Sequence, residues 1–282
     1  MIRVFNPSHP YIPVLMKLTE VLAGTIPDDA LSHLSNHFDV IGDIAILTVP
    51  PELSAYKKAI ASAIVTNRKN IYTVLNRVTK VNGDMRTASY EILTGDTTVA
   101  LYREFGFLYR FDVTKVFFNI HLAYERMRVT DQIEPGEDVL IPFCGVGPFV
   151  IPAAVRGAHV VAVENNPDAF AWLNENIALN KMRNFVTALE GDAFDLSLLP
   201  RNRFDRIIIP TPYGLDRIFG VLAPLIAPGS MIHFYTFKNK KQIPSVIKEF
   251  EDNGFALTYF RSCGNVAPGI SRWVFDLEKG EG

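Results

Sequence analysis

The apolar residues of this chain keep two different rhythms, and the change between them falls near residue 115. Before it, short alternating stretches dominate. "DVIGDIAILTV" (39–49) alternates as a strand does and is broken at Gly42. "IYTVLNRVTKV" (71–81) and "TASYEIL" (87–93) flank the turn signal "NGD" at 82–84, and "TTVALYREFGFLYRFDV" (97–113) reads as two strands joined at Gly106. Helical spacing is confined to 11–23 and 51–67, the second opened by Pro51, which needs no N–H donor in a first turn. These elements predict a small α+β domain over 1–115.

From residue 116 onward, strand and helix patterns alternate. A helix at 121–133 is followed by predicted strands at 138–143, 159–164, 185–190, 205–209 and 230–236. Helices at 148–156, 168–180, 214–226 and 241–253 are interleaved with them, and 256–262 with 271–277 form a closing strand pair. Repeated βα units imply an α/β domain with a mainly parallel, Rossmann-like sheet covered on both faces. Such sheets bind ligands beyond the carboxyl ends of their strands, where strand order reverses.

Composition narrows the class. With 282 residues, 48% hydrophobic and 21% charged, the chain reads as globular, and no run of about 18 apolar residues suggests a membrane span. "MIRVFNPSHPYIPV" lacks the apolar centre of a signal peptide, so a cytoplasmic location is expected. Two cysteines, Cys144 and Cys263, make no disulfide framework and no metal-ligand spacing, and Cys144 reads as a small apolar filler; no metal is expected. The net charge of −2 is unevenly spread, with twelve Lys/Arg against six Asp/Glu between Lys57 and Arg128. That balance suits a phosphate-binding face, and equally an ordinary solvated surface.

The candidate chemistry lies at predicted strand ends. "VLIPFCGVGPFV" (139–150) carries Gly145 and Gly147 in the turn after the first strand of the sheet, where glycine lets backbone approach a ligand. Val150 stands where a dinucleotide fingerprint has its third glycine, which argues against NAD. Glu164 ends the second strand, placed to accept hydrogen bonds from ribose hydroxyls, and Asp192 follows the third, placed to meet an adenine amino group. Acids at both positions suit a cofactor with ribose and adenine but no pyrophosphate, which points to S-adenosylmethionine. The fourth strand ends "IIIPTPYG" (207–214), with Pro210 where enzymes that methylate nitrogen often carry Asn or Asp, and with Pro212 and Tyr213 following.

Taken in order, "FDVIGDIAIL" (38–47), "GDMRTASYEIL" (83–93), "FDVTKVFFN" (111–119), "ERMRV" (125–129), "GVGPF" (145–149), "VENNP" (163–167), "NIALNKM" (176–182) and "HFYTF" (233–237) span about 200 residues. The chain thereby resembles the Trm5/TYW2-type, or Met-10-like, enzymes that modify guanosine 37 of tRNA. The resemblance implies a class I methyltransferase domain over 116–282, a tRNA-contacting domain over 1–115, S-adenosylmethionine as cofactor and the tRNA anticodon loop as partner. It implies a cofactor set of Phe143, Gly145, Val146, Gly147, Phe149, Glu164, Asn165, Asp192, Ala193 and Pro210. It also implies Glu125 as the base for guanine N1–H and Arg86 as the donor to guanine O6; for such a substrate, Phe117, Phe118 or Tyr213 could stack on the extruded base. Read from the helix alone, Glu125 is equally a surface partner of Arg128 at i, i+3.

Three positions depart from the family pattern: Ile141 for an acid, His121 for an arginine and Pro210 for an asparagine. The leading expectation is N1-methylation of guanosine 37. Aminocarboxypropyl transfer to a wyosine-precursor guanine is the second, and a tRNA- or cofactor-binding paralogue with reduced catalysis the third. Oligomeric state leaves no trace in the sequence.

Overall fold

The computed structural model describes residues 16–79 and 88–280, and these form two compact units that divide after Thr98. In the first, α1 (Leu18–Val21) and α2 (Asp28–Leu31) precede β1 (Asp39–Ile41) and β2 (Ile44–Leu47). Gly42, with φ 62°, makes the turn between these strands that the sequence marked as a break. A 3-10 turn (Pro51–Tyr56) runs into α3 (Lys57–Asn67), and β3 (Thr73–Arg77) and β4 (Tyr90–Thr94) complete a sheet ordered β1-β2-β3-β4. The β2–β3 pair is parallel because α3 carries the chain back across the sheet. Ile60, Ala61, Ile64 and Leu53 bury against Ala45, Leu47 and Val74.

The second unit opens with the antiparallel hairpin β5 (Val99–Glu104) and β6 (Phe107–Asp112), then α4 (Ala123–Thr130). Strands β7 (Asp138–Pro142), β8 (His159–Glu164) and β9 (Val186–Glu190) alternate with α5 (Val150–Val155) and α6 (Pro167–Leu179). Then follow β10 (Phe204–Ile209), α7 (Ile218–Leu222), β11 (Ile226–Lys238), α8 (Ile243–Asp252), β12 (Phe255–Ala267) and β13 (Ile270–Lys279). The sheet order is β12-β13-β11-β10-β7-β8-β9. Five strands are parallel, and β13 inserts antiparallel between β11 and β12. Strand order reverses between β7 and β10, so the expected ligand crevice lies where these strands end.

The boundary expected after Lys115 moves to Thr98. Two asparagines of "NIALNKM" supply the reason. Asn176 Oδ1 accepts from Arg110 N–H (2.7 Å), while Asn180 accepts from Leu108 N–H (3.0 Å) and donates to Leu108 C=O (2.7 Å). Glu104 of β5 also takes both arms of the buried Arg126 guanidinium, at 2.6 and 2.5 Å. Local alternation placed the hairpin with the strands before it; side chains from α4 and α6 tie it to the sheet that follows.

Candidate active site

The loop after β7 is built by two glycines acting for different reasons. Gly147 has φ 94°, and a Cβ there would lie 2.8 Å from Leu173 Cδ1, so the loop packs directly on α6. Gly145 has φ 57°, and a Cβ there would meet nothing within 4 Å. The loop is thus closed behind Gly147 and open beside Gly145. Asn176 fixes it from the helix side by donating to Val146 C=O (3.0 Å). Phe143, with φ 52°, turns the chain at the strand end without a glycine.

Glu164 ends β8 as expected and joins the loop to the next helix. Its Oε2 accepts from Gly145 N–H (2.7 Å) and its Oε1 from Asn166 N–H (2.8 Å). Burial pushes its pKa up, and the backbone donors only partly counter this. Each carboxylate oxygen keeps a lone pair for a further donor. Asn166 in turn caps α6, its Oδ1 facing Asp168 N–H (3.0 Å) and Ala169 N–H (3.4 Å). The run "VENNP" is therefore a strand-end carboxylate followed at once by a helix cap.

The third segment joins through the backbone, with Gly191 N–H donating to Glu164 C=O (2.9 Å). Asp192 is exposed and accepts from Phe194 N–H (3.0 Å), while Ala193 is buried. Phe194 sits edge-on to Phe143 (6.3 Å) under the Arg217 guanidinium (4.6 Å), an aromatic wall the sequence reading missed. Val146 and Phe149 are buried within the loop, and Asn165 is exposed. Burial pushes the Cys144 thiol up, with the Glu164 charge adding to it, as suits an apolar filler. Beyond β10, Pro210 is half-buried, Thr211 is buried, and Tyr213 is 69% exposed with its ring 5.4 Å from Phe237. Asp216 anchors this segment by accepting from Thr236 Oγ1 (2.7 Å) and Lys238 Nζ (2.5 Å).

Glu125 is buried, 2% exposed, on α4. The predicted Arg128 pair forms (3.0 Å), but in the interior and not on a helix surface. Tyr235 donates to the same oxygen at 3.4 Å. Oε1 makes no hydrogen bond among the described residues and lies 3.3 Å from Arg261 Nε. Tyr235 also packs on Phe149 (5.6 Å), which connects Glu125 to the glycine loop.

Behind Glu125 runs a buried polar chain that the sequence did not announce. Arg128 gives its remaining donors to Asp276 (2.5 and 3.1 Å), and Asp276 faces His233 Nδ1 at 2.8 Å. Arg206 Nη1 lies 2.7 Å from His233 Nε2 and forks onto Glu137 (2.7 and 2.9 Å). A guanidinium can only donate, so Nε2 accepts and Nδ1 carries the proton. Burial pushes the His233 pKa down and so keeps the ring neutral. Burial pushes the Asp276 carboxyl up, but His233 and Arg128 outweigh it and hold the group well below the usual carboxylate range.

Three expectations find other positions or none. Phe118 is half-buried, ringed by Tyr102, Tyr109 and Phe111 with Arg126 over its face, so most of its ring is already engaged inside the second unit. His121 is exposed, and Arg86 lies outside the described residues. No helix among the described residues is long and apolar enough to cross a membrane.

A doubly wound sheet with an antiparallel strand inserted beside β11, a glycine loop after β7 and a carboxylate ending β8 define a Rossmann-like, methyltransferase-type fold. Comparison with known proteins gives the family. The TRM5/TYW2 methyltransferase domain matches residues 100–257, and the TYW2 N-terminal domain matches 18–98. The chain belongs to the TRM5/TYW2 family.

Trm5b of Pyrococcus abyssi, a tRNA (guanine(37)-N(1))-methyltransferase, is 38% identical over 213 residues, 75% of this chain and 63% of Trm5b. Its crystal structure superposes with a TM-score of 0.80 at 33% identity, over 90% of this chain and 78% of that one. The tRNA(Phe) (4-demethylwyosine(37)-C(7)) aminocarboxypropyltransferase of Pyrococcus horikoshii is 31% identical over 270 residues, 93% of this chain and 95% of its own length. The structure of P. horikoshii TYW2 in complex with MeSAdo has a TM-score of 0.78 at 29% identity, covering 93% of this chain and 97% of that one. This chain thus spans under two thirds of Trm5b but nearly all of the aminocarboxypropyltransferase.

Proposed function

We propose that the protein is a cytoplasmic, S-adenosylmethionine-dependent transferase that modifies guanosine 37 in the anticodon loop of tRNA, with N1-methylation as its reaction. The observation that carries the reading is the half-buried Glu164 carboxylate, fixed by Gly145 N–H beside the open face of the glycine loop. A carboxylate held in that way accepts the two hydroxyls of a ribose, and Phe143, Phe194 and Ala193 offer apolar surface to an adenine next to Asp192. Val146, Phe149 and Asn165 support this loop and strand end, and Pro210 closes the opposite side through its carbonyl.

S-adenosylmethionine, when bound, supplies a methyl group whose bond to sulfur breaks as its bond to guanine N1 forms. The chain's own residues then handle the base and its proton. Tyr213 stacks on the extruded guanine. Arg86 donates to guanine O6, which gains charge as N1–H is lost. Glu125 Oε1, buried and without a hydrogen bond of its own, receives the N1 proton. The domain before Val99 and the basic stretch from Lys57 to Arg128 hold the tRNA backbone.

Incubation with methyl-labelled cofactor and two transcripts, one carrying G37 and one A37, tests the reading. Label is expected in the G37 transcript alone; equal labelling of both would remove position 37.

The length match to the aminocarboxypropyltransferase and the TYW2-type N-terminal domain favour one second reading, transfer of the aminocarboxypropyl group. Pro210 bears on it too, because it removes the side-chain amide that methylation at nitrogen often uses. Cofactor labelled in the methionine chain separates the two, since only that transfer carries the chain into tRNA. Calorimetry that detects cofactor binding without either transfer would support the binding paralogue.

A further inference from the structure

The carboxyl end of β11 holds a cation that the reaction above does not use. Arg272 on β13 pairs with Phe237 on β11 and lies over its ring, 4.9 Å from guanidinium carbon to ring centre. It is 6% exposed. Among the described residues no hydrogen bond or ion pair engages its guanidinium. The other buried arginines are all answered: Arg126 by Glu104, and Arg206 by Glu137 and His233. Burial pushes the Arg272 pKa down, and the nearby Arg126 charge acts the same way. No Arg272 nitrogen is among the fully enclosed unpaired atoms, so the guanidinium sits in a mostly buried residue with its donors open to the outside, ready to exchange water for the oxygens of a ligand.

The neighbours indicate what that is. Phe237 meets Arg272 and also packs on Tyr213 (5.4 Å, 58° between planes), and Tyr213 is 69% exposed. Arg272, Phe237 and Tyr213 therefore form a row from the interior to the surface, at the strand ends where this fold takes its ligands. The planar fork of arginine matches two oxygens of one phosphate, and an exposed ring beside it suits an unstacked base. We propose that Arg272 binds a phosphodiester of the RNA strand next to the nucleotide whose base stacks on Tyr213. The inference rests on the reading of tRNA as substrate.

The test uses the full chain and a G37 anticodon stem-loop RNA, with RNA affinity measured across salt and S-adenosylhomocysteine affinity by calorimetry. Arg272→Met is expected to weaken RNA binding about tenfold and to lower the salt slope by about 0.7, one single-strand phosphate contact. Cofactor affinity should stay unchanged, and the melting temperature should stay close to wild type, because no hydrogen bond or ion pair among the described residues is lost and the methionine chain still covers the Phe237 ring. A methylphosphonate at one linkage beside the target nucleotide should weaken wild type and leave Arg272→Met unaffected. Equal RNA affinity in the two proteins overturns the inference, as does a loss confined to cofactor, which would put the guanidinium against the cofactor carboxylate. If Arg272→Met does not fold, Arg272→Lys decides with the same RNAs. In that case the inference fails when no neutralised linkage weakens wild type more than the lysine variant. Wild type that binds no RNA overturns this inference together with the reading beneath it.

Discussion

Two carboxylates, Glu164 and Glu125, were legible as candidate residues, and their surroundings differ. Glu164 is held by two backbone N–H groups and has a pKa raised chiefly by burial. Glu164→Ala should weaken S-adenosylmethionine binding by about 1–3 kcal/mol, the usual cost of leaving buried donors unpaired. Because ribose hydroxyls donate to the ionised form, affinity should fall as pH drops through a pKa above the ordinary 4.5. Glu164→Gln should bind more weakly but lose that pH dependence; titrations across pH 5–8 would show whether both statements hold. Glu125→Gln should leave cofactor affinity intact and slow transfer at least about a hundredfold, the range of general-base effects. A wild-type single-turnover rate would remove Glu125 as the base. The sequence offered Arg128 as its partner because i, i+3 is a local rule. Asp276, 148 residues further on, obeys no local rule and had to be seen in the fold.

At the level of elements, strand ends were legible where apolar runs stop at a charged or glycine residue, as at Glu164. Elements held by side-chain ties were not. The helix expected over 214–226 shrinks to Ile218–Leu222, because Asp216 is drawn onto Thr236 and Lys238 and the residues before it close successive tight turns, Leu215 N–H to Pro212 C=O and Ile218 N–H to Leu215 C=O, in place of a helical ladder. Strand β11 is longer than its predicted 230–236, since β13 pairs with it out to Lys238. Between these strands the His233–Asp276 pair makes the sheet sensitive to acid. A histidine with a lower pKa folded than unfolded takes up a proton on unfolding, so its contribution is full above about pH 6.5 and declines as pH falls below it. Asp276, depressed in the fold, adds a further loss only below its ordinary 3.8. Unfolding free energy should therefore drop between pH 7 and 5 by at most about 1.4 kcal/mol per unit from His233. His233→Asn should be less stable at pH 8 and should lack this slope. An unaltered slope in denaturant titrations would mean that other histidines carry it.

For the whole molecule, the two patterns of the sequence correctly announced two units, but local alternation misplaced their border by one hairpin. The difference can be measured with fragments. A chain starting at Val99 keeps Glu104 for the buried Arg126 and keeps the Leu108 and Arg110 backbone groups for Asn180 and Asn176. A chain starting at residue 116 strips the partner from a fully buried guanidinium, at about 3–5 kcal/mol. It also leaves two buried or half-buried asparagines unsatisfied, at roughly 1–3 kcal/mol each, and uncovers Phe118. Those losses together match the roughly 5–15 kcal/mol by which a domain is stable at all. The 99–282 fragment should therefore melt cooperatively and bind S-adenosylmethionine close to wild-type affinity, while 116–282 should be unfolded or aggregated. If the domain before Val99 holds the tRNA backbone, the longer fragment should keep its cofactor yet lose most tRNA affinity. Full tRNA binding by 99–282 would instead place the RNA surface entirely on the methyltransferase unit. Arg272→Met in that fragment would then be expected to cost as much affinity as it does in the whole chain.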